Sequence, residues 1–292
     1  MLEEFDRKKI RESTLKLIED ANRIIDDYLD QGYELTLRQL YYRLVATGVI
    51  PNNQRSYKNL GTAMNTGRMI GLVDWEAIVD RVRETRANAH WDSPKELLED
   101  AAEAFQLDRW EGQENHVEVM CEKDALSGVL EPLCSELDVP FTANRGYSSQ
   151  SFMWRKGKDL ERIYQLQGKD IHVLYLGDHD PSGLDMDRDI EARLATFSHR
   201  TPIRVVRLAL LMQQIHEYDP PPDPVKVSDS RYREYAVKHG EHSWELDALE
   251  PAILRKLVED EINSLRDTDL WMDVMAKERA MKARLLTVAK EF

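Results

Sequence analysis

Between His116 and Leu210, short apolar runs alternate with longer amphipathic ones, and this rhythm constrains the chain more than any other feature. HVEVMC, VPFTA, IHVLYLG and IRVVRLAL read as strands. DALSGVLEPLCSEL, SFMWRKGKDLERIYQL and SGLDMDRDIEARLATF read as the helices between them. Strands joined through helices are crossover connections. They predict βαβ units and a parallel sheet with helices on its faces. The run from Asp219 to Pro224, DPPPDP, breaks the pattern and predicts a rigid exposed loop. From Trp244 onward the chain reads as charged helix.

Ahead of this array the period is helical. Ile10, Leu15, Leu17, Ile18, Ala21, Ile24, Ile25, Tyr28 and Leu29 fall at helical spacing and mark an amphipathic helix over residues 5–31, stopping near Gly32. A second helix follows in TLRQLYYRLVATG, with Thr36 as its N-cap and Gly48 as its stop. After the turn Pro51-Asn52-Asn53, a third helix runs to Gly71. Three helices with a short turn between the last two fit a helix-turn-helix or winged variant. The predicted fold class is therefore α/β plus α. A helical or winged unit over 1–91 leads to an acidic, helical connector over 92–114, an α/β domain over 115–218 and a helical extension over 219–292.

Charge divides along the same lines. The chain carries a net −14, which argues against a polyanionic partner. The segment Thr36–His90 is nevertheless net +4, with eight basic residues (Arg38, Arg43, Arg55, Lys58, Arg68, Arg81, Arg83, Arg86) against four acidic ones (Asp74, Glu76, Asp80, Glu84). Screening limits charge effects to about 10 Å, so a basic module on an acidic body can still meet phosphate, although arginines on solvated helix faces look the same. Cys121 and Cys134 lack any metal or disulfide spacing and read as buried thiols in a reducing compartment. The charged N-terminus has no signal-peptide core and no apolar run is long enough to span a membrane, so a cytoplasmic protein is expected.

Two strand ends concentrate the chemistry. HVEVMC runs into Glu122-Lys123-Asp124, and IHVLYLG runs into Asp178-His179-Asp180. Ligands of open parallel sheets collect beyond the carboxyl ends of the strands. There Glu122, Asp178 and Asp180 would form an oxygen-only cluster suited to Mg²⁺, with Mn²⁺ as a substitute. Each acidic turn alone could be a helix cap or a solvated loop. Two of them, 56 residues apart in one alternating array, favour a common site. Asp124 reads as an N-cap before a ligand, and His179 as a supporting or phosphate-contacting residue. Gly183 lets the chain turn tightly into the next helix.

These residues carry a resemblance. VEVMCEKDAL is similar to the first motif of Toprim domains and VLYLGDHDPSGLDM to the second. Within that group the chain resembles the A subunit of topoisomerase VI and its relative, the meiotic double-strand-break transesterase. It shares their glutamate-lysine-acid opening, a loop at Arg145-Gly146-Tyr147 and the Asp-x-Asp-Pro-x-Gly motif at Asp178–Gly183. Asn144 stands where the family often has glycine, and Glu245–Leu249 resembles a segment the family keeps behind its Toprim sheet.

The resemblance implies a winged helix-turn-helix ahead of the sheet. It also implies a tyrosine nucleophile, which falls on Tyr42 of Arg38-Gln39-Leu40-Tyr41-Tyr42, with Arg38 stabilising charge beside it. Tyr42 would attack a DNA phosphodiester and form a 5′-phosphotyrosyl link, aided by Mg²⁺ on Glu122, Asp178 and Asp180. Arg43, Arg55, Lys58, Arg68, Lys123 and Arg145 would contact DNA. The site would be shared between protomers of a homodimer. With no Walker loop in the chain, ATP-driven strand passage would require a separate ATPase subunit. Read by helical spacing alone, Tyr41 falls on the core side and Tyr42 on the polar side, where a tyrosine is commonly a plain surface residue. Other Toprim proteins, such as overcoming-lysogenization-defect-type nucleases, hydrolyse DNA or RNA with metal-activated water. A DNA-binding module that keeps the fold as a scaffold is the third reading.

Overall fold

A computed structural model describes every residue except 1, 3, 34, 79–87 and 145. Its centre is a four-stranded, wholly parallel sheet in the order β2-β1-β3-β4, built from β1 (Asn115–Cys121), β2 (Phe141–Ala143), β3 (Asp170–Leu176) and β4 (Ile203–Ala209). The crossovers are α5 (Ser127–Glu136), α6 (Gln150–Gln167) and α7 (Gly183–Phe197). The alternation legible in the sequence is thus realised, with β2 reduced to a short edge strand.

Side-chain alternation along β1 and β3 feeds two cores. Val119, Cys121, Leu174 and Leu176 face α5 and the C-terminal helices α10 (Pro251–Leu265) and α11 (Thr268–Ala289), packing on Leu130, Leu133, Leu254, Val258 and Trp271. Met120, Val173 and Tyr175 face α6 and α7, packing on Met153, Leu160, Ile190 and Leu194. Both sheet faces are therefore covered, which is why β3 reads as an apolar run from Ile171 to Leu176 interrupted only by His172. Both cysteines are free and buried, as expected.

The N-terminal unit holds α1 (Glu12–Asp30), α2 (Leu37–Ala46) and α3 (Gln54–Met69) around Ile18, Ile25, Leu40, Leu44, Leu60 and Met64. Thr36 caps α2 through a capping box with Gln39, as the sequence predicts for that position. Helix α1 starts seven residues later than its apolar period suggested. Residues 5 and 6 instead donate their backbone N–H groups to Met69 O at 2.8 and 2.9 Å, strapping the N-terminus to the end of α3. Outside the helices of this unit, the described residues form only isolated bridges, Glu4 to Ile70 and Leu35 to Ile78.

Three expectations change. The acidic segment is helical as expected, forming α4 (Pro94–Ala104), but it packs along α11 and is more than a connector; Lys282 Nζ donates to Glu103 O at 3.1 Å, and Arg109 pairs with Glu278 at 3.1 Å. The Pro-rich run is no free loop. It ends in β5 (Asp223–Pro224), which pairs antiparallel with β6 (His242–Ser243). Trp244 onward begins as extended chain and a single turn over Leu246–Ala248, with helix resuming only at Pro251. Between these lie α8 (Met212–Tyr218) and α9 (Tyr232–His239). No helix among the described residues is long and apolar enough to cross a membrane.

Candidate active site

Glu122 and Asp178 are neighbours because β1 and β3 pair in register to their last residues, Cys121 opposite Leu176. The next peptide continues the ladder, Glu122 N–H donating to Leu176 O at 2.8 Å, and the Glu122 carboxylate accepts from Asp178 N–H at 2.9 Å. Asp180 turns back on its own loop, where Oδ1 accepts from Ser182 Oγ at 2.9 Å and Gly183 N–H at 2.6 Å. Gly183 is required for lack of space. A Cβ there would lie 2.3 Å from the Asp178 carbonyl oxygen. Arg207 of β4 fastens the turn from beneath, donating to the carbonyls of Gly177 and Gly183, each at 3.0 Å.

A second strip of chain closes over this turn. His179 and Trp244 exchange backbone hydrogen bonds at 2.9 and 3.0 Å, which places Leu246 N–H 2.8 Å from Asp178 Oδ1. Glu245 then faces the strand ends. The segment that the family resemblance placed behind the sheet lies beside the carboxylates instead. Lys123 Nζ pairs with Asp178 at 2.6 Å and also with Glu245. Arg38, reaching over from α2, pairs with Glu245 at 2.8 Å and with Asp247 at 3.0 Å. Asp247 is 1% exposed, and neither of its carboxylate oxygens has an aligned hydrogen-bond donor among the described residues.

The electrostatics follow from this crowding. Burial pushes Asp178 well above the ordinary carboxylate range, and Glu122 and Glu245 add to the effect against Lys123. Burial, with Asp180 adding, raises Glu122, and burial raises Asp247 against Lys123 and Arg38. For Glu245 burial works upward but loses to Lys123 and Arg38, and its carboxyl sits below the ordinary value. Lys123 shows the reverse balance: burial opposes its charge, but Asp178, Asp247 and Glu245 hold the proton more firmly than usual.

The oxygen-only chemistry of Glu122, Asp178 and Asp180 fits a hard divalent cation, because buried carboxylates that raise one another's pKa are stabilised by positive charge. As placed, Lys123 supplies that charge, and among the described residues no three His, Cys, Asp or Glu side chains converge at metal-binding separation. Coordination would thus require Asp178 to exchange its contact with Lys123 for the ion.

Tyr42 differs from its sequence reading. It is 4% exposed, as buried as Tyr41 at 5%, because Asp223 and the turn Leu246–Ala248 cover the face of α2 expected to be polar. Its hydroxyl still reaches a cleft of about 730 Å³ lined by Arg38, Tyr42, Asp178, Asp180, Asp223 and Glu245 among others. Arg38 Nη2 donates to Tyr42 Oη at 3.4 Å, and Tyr42 Oη donates to Asp223 Oδ2 at 3.2 Å. Asn52 holds Asp223 Oδ1 at 2.6 Å. Burial raises the Tyr42 pKa far above that of a free phenol; Glu245 adds to this, Arg38 opposes it, and Asp247 and Asp223 add further.

The remaining sequence candidates separate. Arg55 and Lys58 stand exposed on α3. Arg43 pairs with Glu250 at 2.7 Å, and Arg68 donates to the carbonyls of Trp75 and Ile78 at 2.9 and 2.6 Å, so both are occupied within the fold. Arg145 lies outside the described residues, as do Arg81, Arg83, Arg86, Asp80 and Glu84. Its neighbour Tyr147 donates to Asp185 at 2.9 Å. Asp124 opens a single turn ahead of α5 instead of capping that helix. His179 is 2% exposed, walled by Tyr235, His239 and Trp244, with Nδ1 bonded to Tyr235 Oη at 2.9 Å. It ties the two strips together and is not among the residues lining the cleft described above. Asp223, Asn52, Asp247 and Arg207 were not singled out from sequence. Asp223 stands 181 residues from Tyr42, and no spacing connects the two. Compared with protein-family models, with curated proteins and with solved structures, the chain matches none.

Proposed function

We propose that this chain is a Toprim-type, metal-dependent DNA-cleaving transesterase, akin to the topoisomerase VI A subunit, with Tyr42 as its nucleophile. The observation that carries the reading is the shared cleft. Tyr42, Arg38, Asp178 and Asp180 line one cavity, although the tyrosine and the carboxylates come from separate units of the chain. Tyr42 Oη forms a bond to phosphorus, the P–O3′ bond breaks, and a 5′-phosphotyrosyl link conserves the phosphodiester for resealing. Arg38, beside the phenol oxygen, stabilises negative charge growing there. Glu122, Asp178 and Asp180 would hold Mg²⁺ or Mn²⁺, whose contribution when bound is to neutralise charge on the phosphoryl and leaving oxygens.

DNA is the proposed partner, met in part by Arg55 and Lys58 on the exposed flank of α3. Strand passage would draw on a separate ATPase subunit. The homodimer implied by resemblance stays part of the proposal, although here one chain supplies both halves of the site.

A second reading keeps the cation and drops the tyrosine: hydrolysis of DNA or RNA by activated water. The burial of Tyr42 and its acidic neighbours Asp223 and Glu245 favour it, since both oppose a phenolate. The test is a denaturing-gel assay with supercoiled and end-labelled DNA plus Mg²⁺ or Mn²⁺, comparing wild type, Tyr42→Phe and Asp178→Ala. The expected result is a protein–DNA adduct lost in both variants. Free ends that persist in Tyr42→Phe and vanish in Asp178→Ala would establish the hydrolytic reading. DNA binding with no scission in any chain would leave only a binding module.

A further inference from the structure

The phenol of Tyr42 must lose a proton before or as it attacks, and its surroundings hold that proton tightly. Arg38 has nothing with which to accept it. Glu245, the nearest acid by charge, is committed to Arg38 and Lys123. Asp223 is the one carboxylate among the described residues within hydrogen-bond distance of Tyr42 Oη, at 3.2 Å, inside the range required of a general base.

Asp223 is also aimed. Its other oxygen accepts from Asn52 Nδ2 at 2.6 Å. Asn52 is itself oriented, because its Oδ1 accepts from Tyr41 Oη at 2.8 Å, which turns the amide N–H₂ toward Asp223 and toward Pro222 O at 3.0 Å. The backbone is fixed by pairing of Asp223 with Ser243 and by three prolines immediately before it. Asp223 therefore meets Tyr42 directly and Tyr41 through Asn52, at the wall of the cleft.

We propose that Asp223 is the catalytic proton acceptor for Tyr42 and that Asn52 is its positioning residue. The assignment rests on the transesterase reading. As the Tyr42 Oη–P bond forms and the P–O3′ bond breaks, the phenol proton passes to Asp223 Oδ2 and the 3′ oxygen takes a proton from solvent. In resealing, the 3′-hydroxyl attacks and gives its proton to solvent, the Oη–P bond breaks, and Asp223 returns a proton to the departing phenolate. The charged and titratable groups facing this pair are Arg38, Glu245 and Asp247 around the phenol, Tyr41 beside Asp223, and Asp178, Asp180, Tyr57 and Lys226 on the cleft wall.

The experiment is single-turnover adduct formation on end-labelled DNA with Mg²⁺, across pH, with wild type, Asp223→Asn, Asp223→Ala and Asn52→Ala, alongside DNA-binding and melting measurements. Asp223→Asn is expected to slow adduct formation ~100-fold or more while DNA binding holds. Its rate should climb in proportion to hydroxide, since the phenol must then ionise unaided. Formate should partly restore Asp223→Ala. Asn52→Ala should slow the reaction roughly tenfold with the wild-type pH profile kept, through loss of orientation alone. Should Asp223→Asn unfold, the formate rescue and the Asn52→Ala profile carry the same decision. An Asp223 variant within twofold of wild type, or Asp223 variants slowed equally at every pH without formate rescue, would overturn the assignment and leave Tyr42 chemistry standing. No adduct from wild type would overturn the transesterase reading and this assignment with it.

Discussion

Arg38 joins the helical unit to the sheet through two carboxylates, and its removal should be costly in a way that a second substitution relieves. In Arg38→Met, Asp247, with no exposed side-chain surface, loses the guanidinium 3.0 Å away and is left with Lys123 alone to oppose the burial of its carboxylate. Breaking a buried ion pair from one side costs ~3–5 kcal/mol. The Arg38 side chain is 43% exposed, so solvent screens part of that interaction, and ~2–3 kcal/mol is the appropriate expectation. Asp247→Asn alone should cost about 1 kcal/mol, because Arg38 retains Glu245 at 2.8 Å and water on its open side. In the double variant the stranded charge is gone. The cycle should therefore return a coupling of ~1–2 kcal/mol. Thermal and urea melts of the four proteins in metal-free buffer measure it. At ~2–4 °C per kcal/mol, Arg38→Met should melt at least about 4 °C below wild type and recover when Asp247→Asn is added. Additivity within ~0.5 kcal/mol would refute the reasoning, since it would mean Asp247 does not depend on Arg38 for compensation.

Two further outcomes follow from the geometry. Gly183→Ala forces a Cβ to within 2.3 Å of the Asp178 carbonyl, so it should lower stability by ~1–3 kcal/mol and abolish activity by displacing both aspartates; an unchanged melting temperature would show that the turn yields freely. Because Tyr42 and Asp178 share one cleft within a chain, equilibrated mixtures of Tyr42→Phe and Asp178→Ala proteins should form no adduct on the same gel, whereas restored adduct would mean that the residues act across protomers.

The sheet was legible because burial on both faces leaves a plain mark, and β3 shows it best: Ile171 to Leu176 is apolar except for His172. Glu122, Asp178 and Asp180 were legible for a related reason, since polar residues at the ends of apolar runs mark where the sheet stops. Tyr42 was misplaced because helical spacing says which faces of a helix differ but not what packs on each. The second face of α2 is covered by chain from 223 and 245–248, and no local pattern announces that. Asp223 and Asp247 escaped for the same reason. Each is one acid among the 54 Asp and Glu residues, carried by a two-residue strand or a single turn, and given meaning only by partners far off in the chain. His179 takes the supporting one of its two sequence readings, its ring buried among aromatics and bonded to Tyr235, but a histidine between two aspartates carries no local sign of those partners.

The packing of α4 along α11 bears on how the molecule is made. Glu278 holds Leu107 N–H and the Arg109 guanidinium across 171 and 169 residues of sequence, and Trp271 and Ile262 complete the core beneath β1 and β3. The sheet's own strands are finished long before those helices leave the ribosome. During synthesis one face of the nascent sheet must therefore wait uncovered, a surface that chaperones would shield and that a premature stop before α10 would leave permanently open to aggregation.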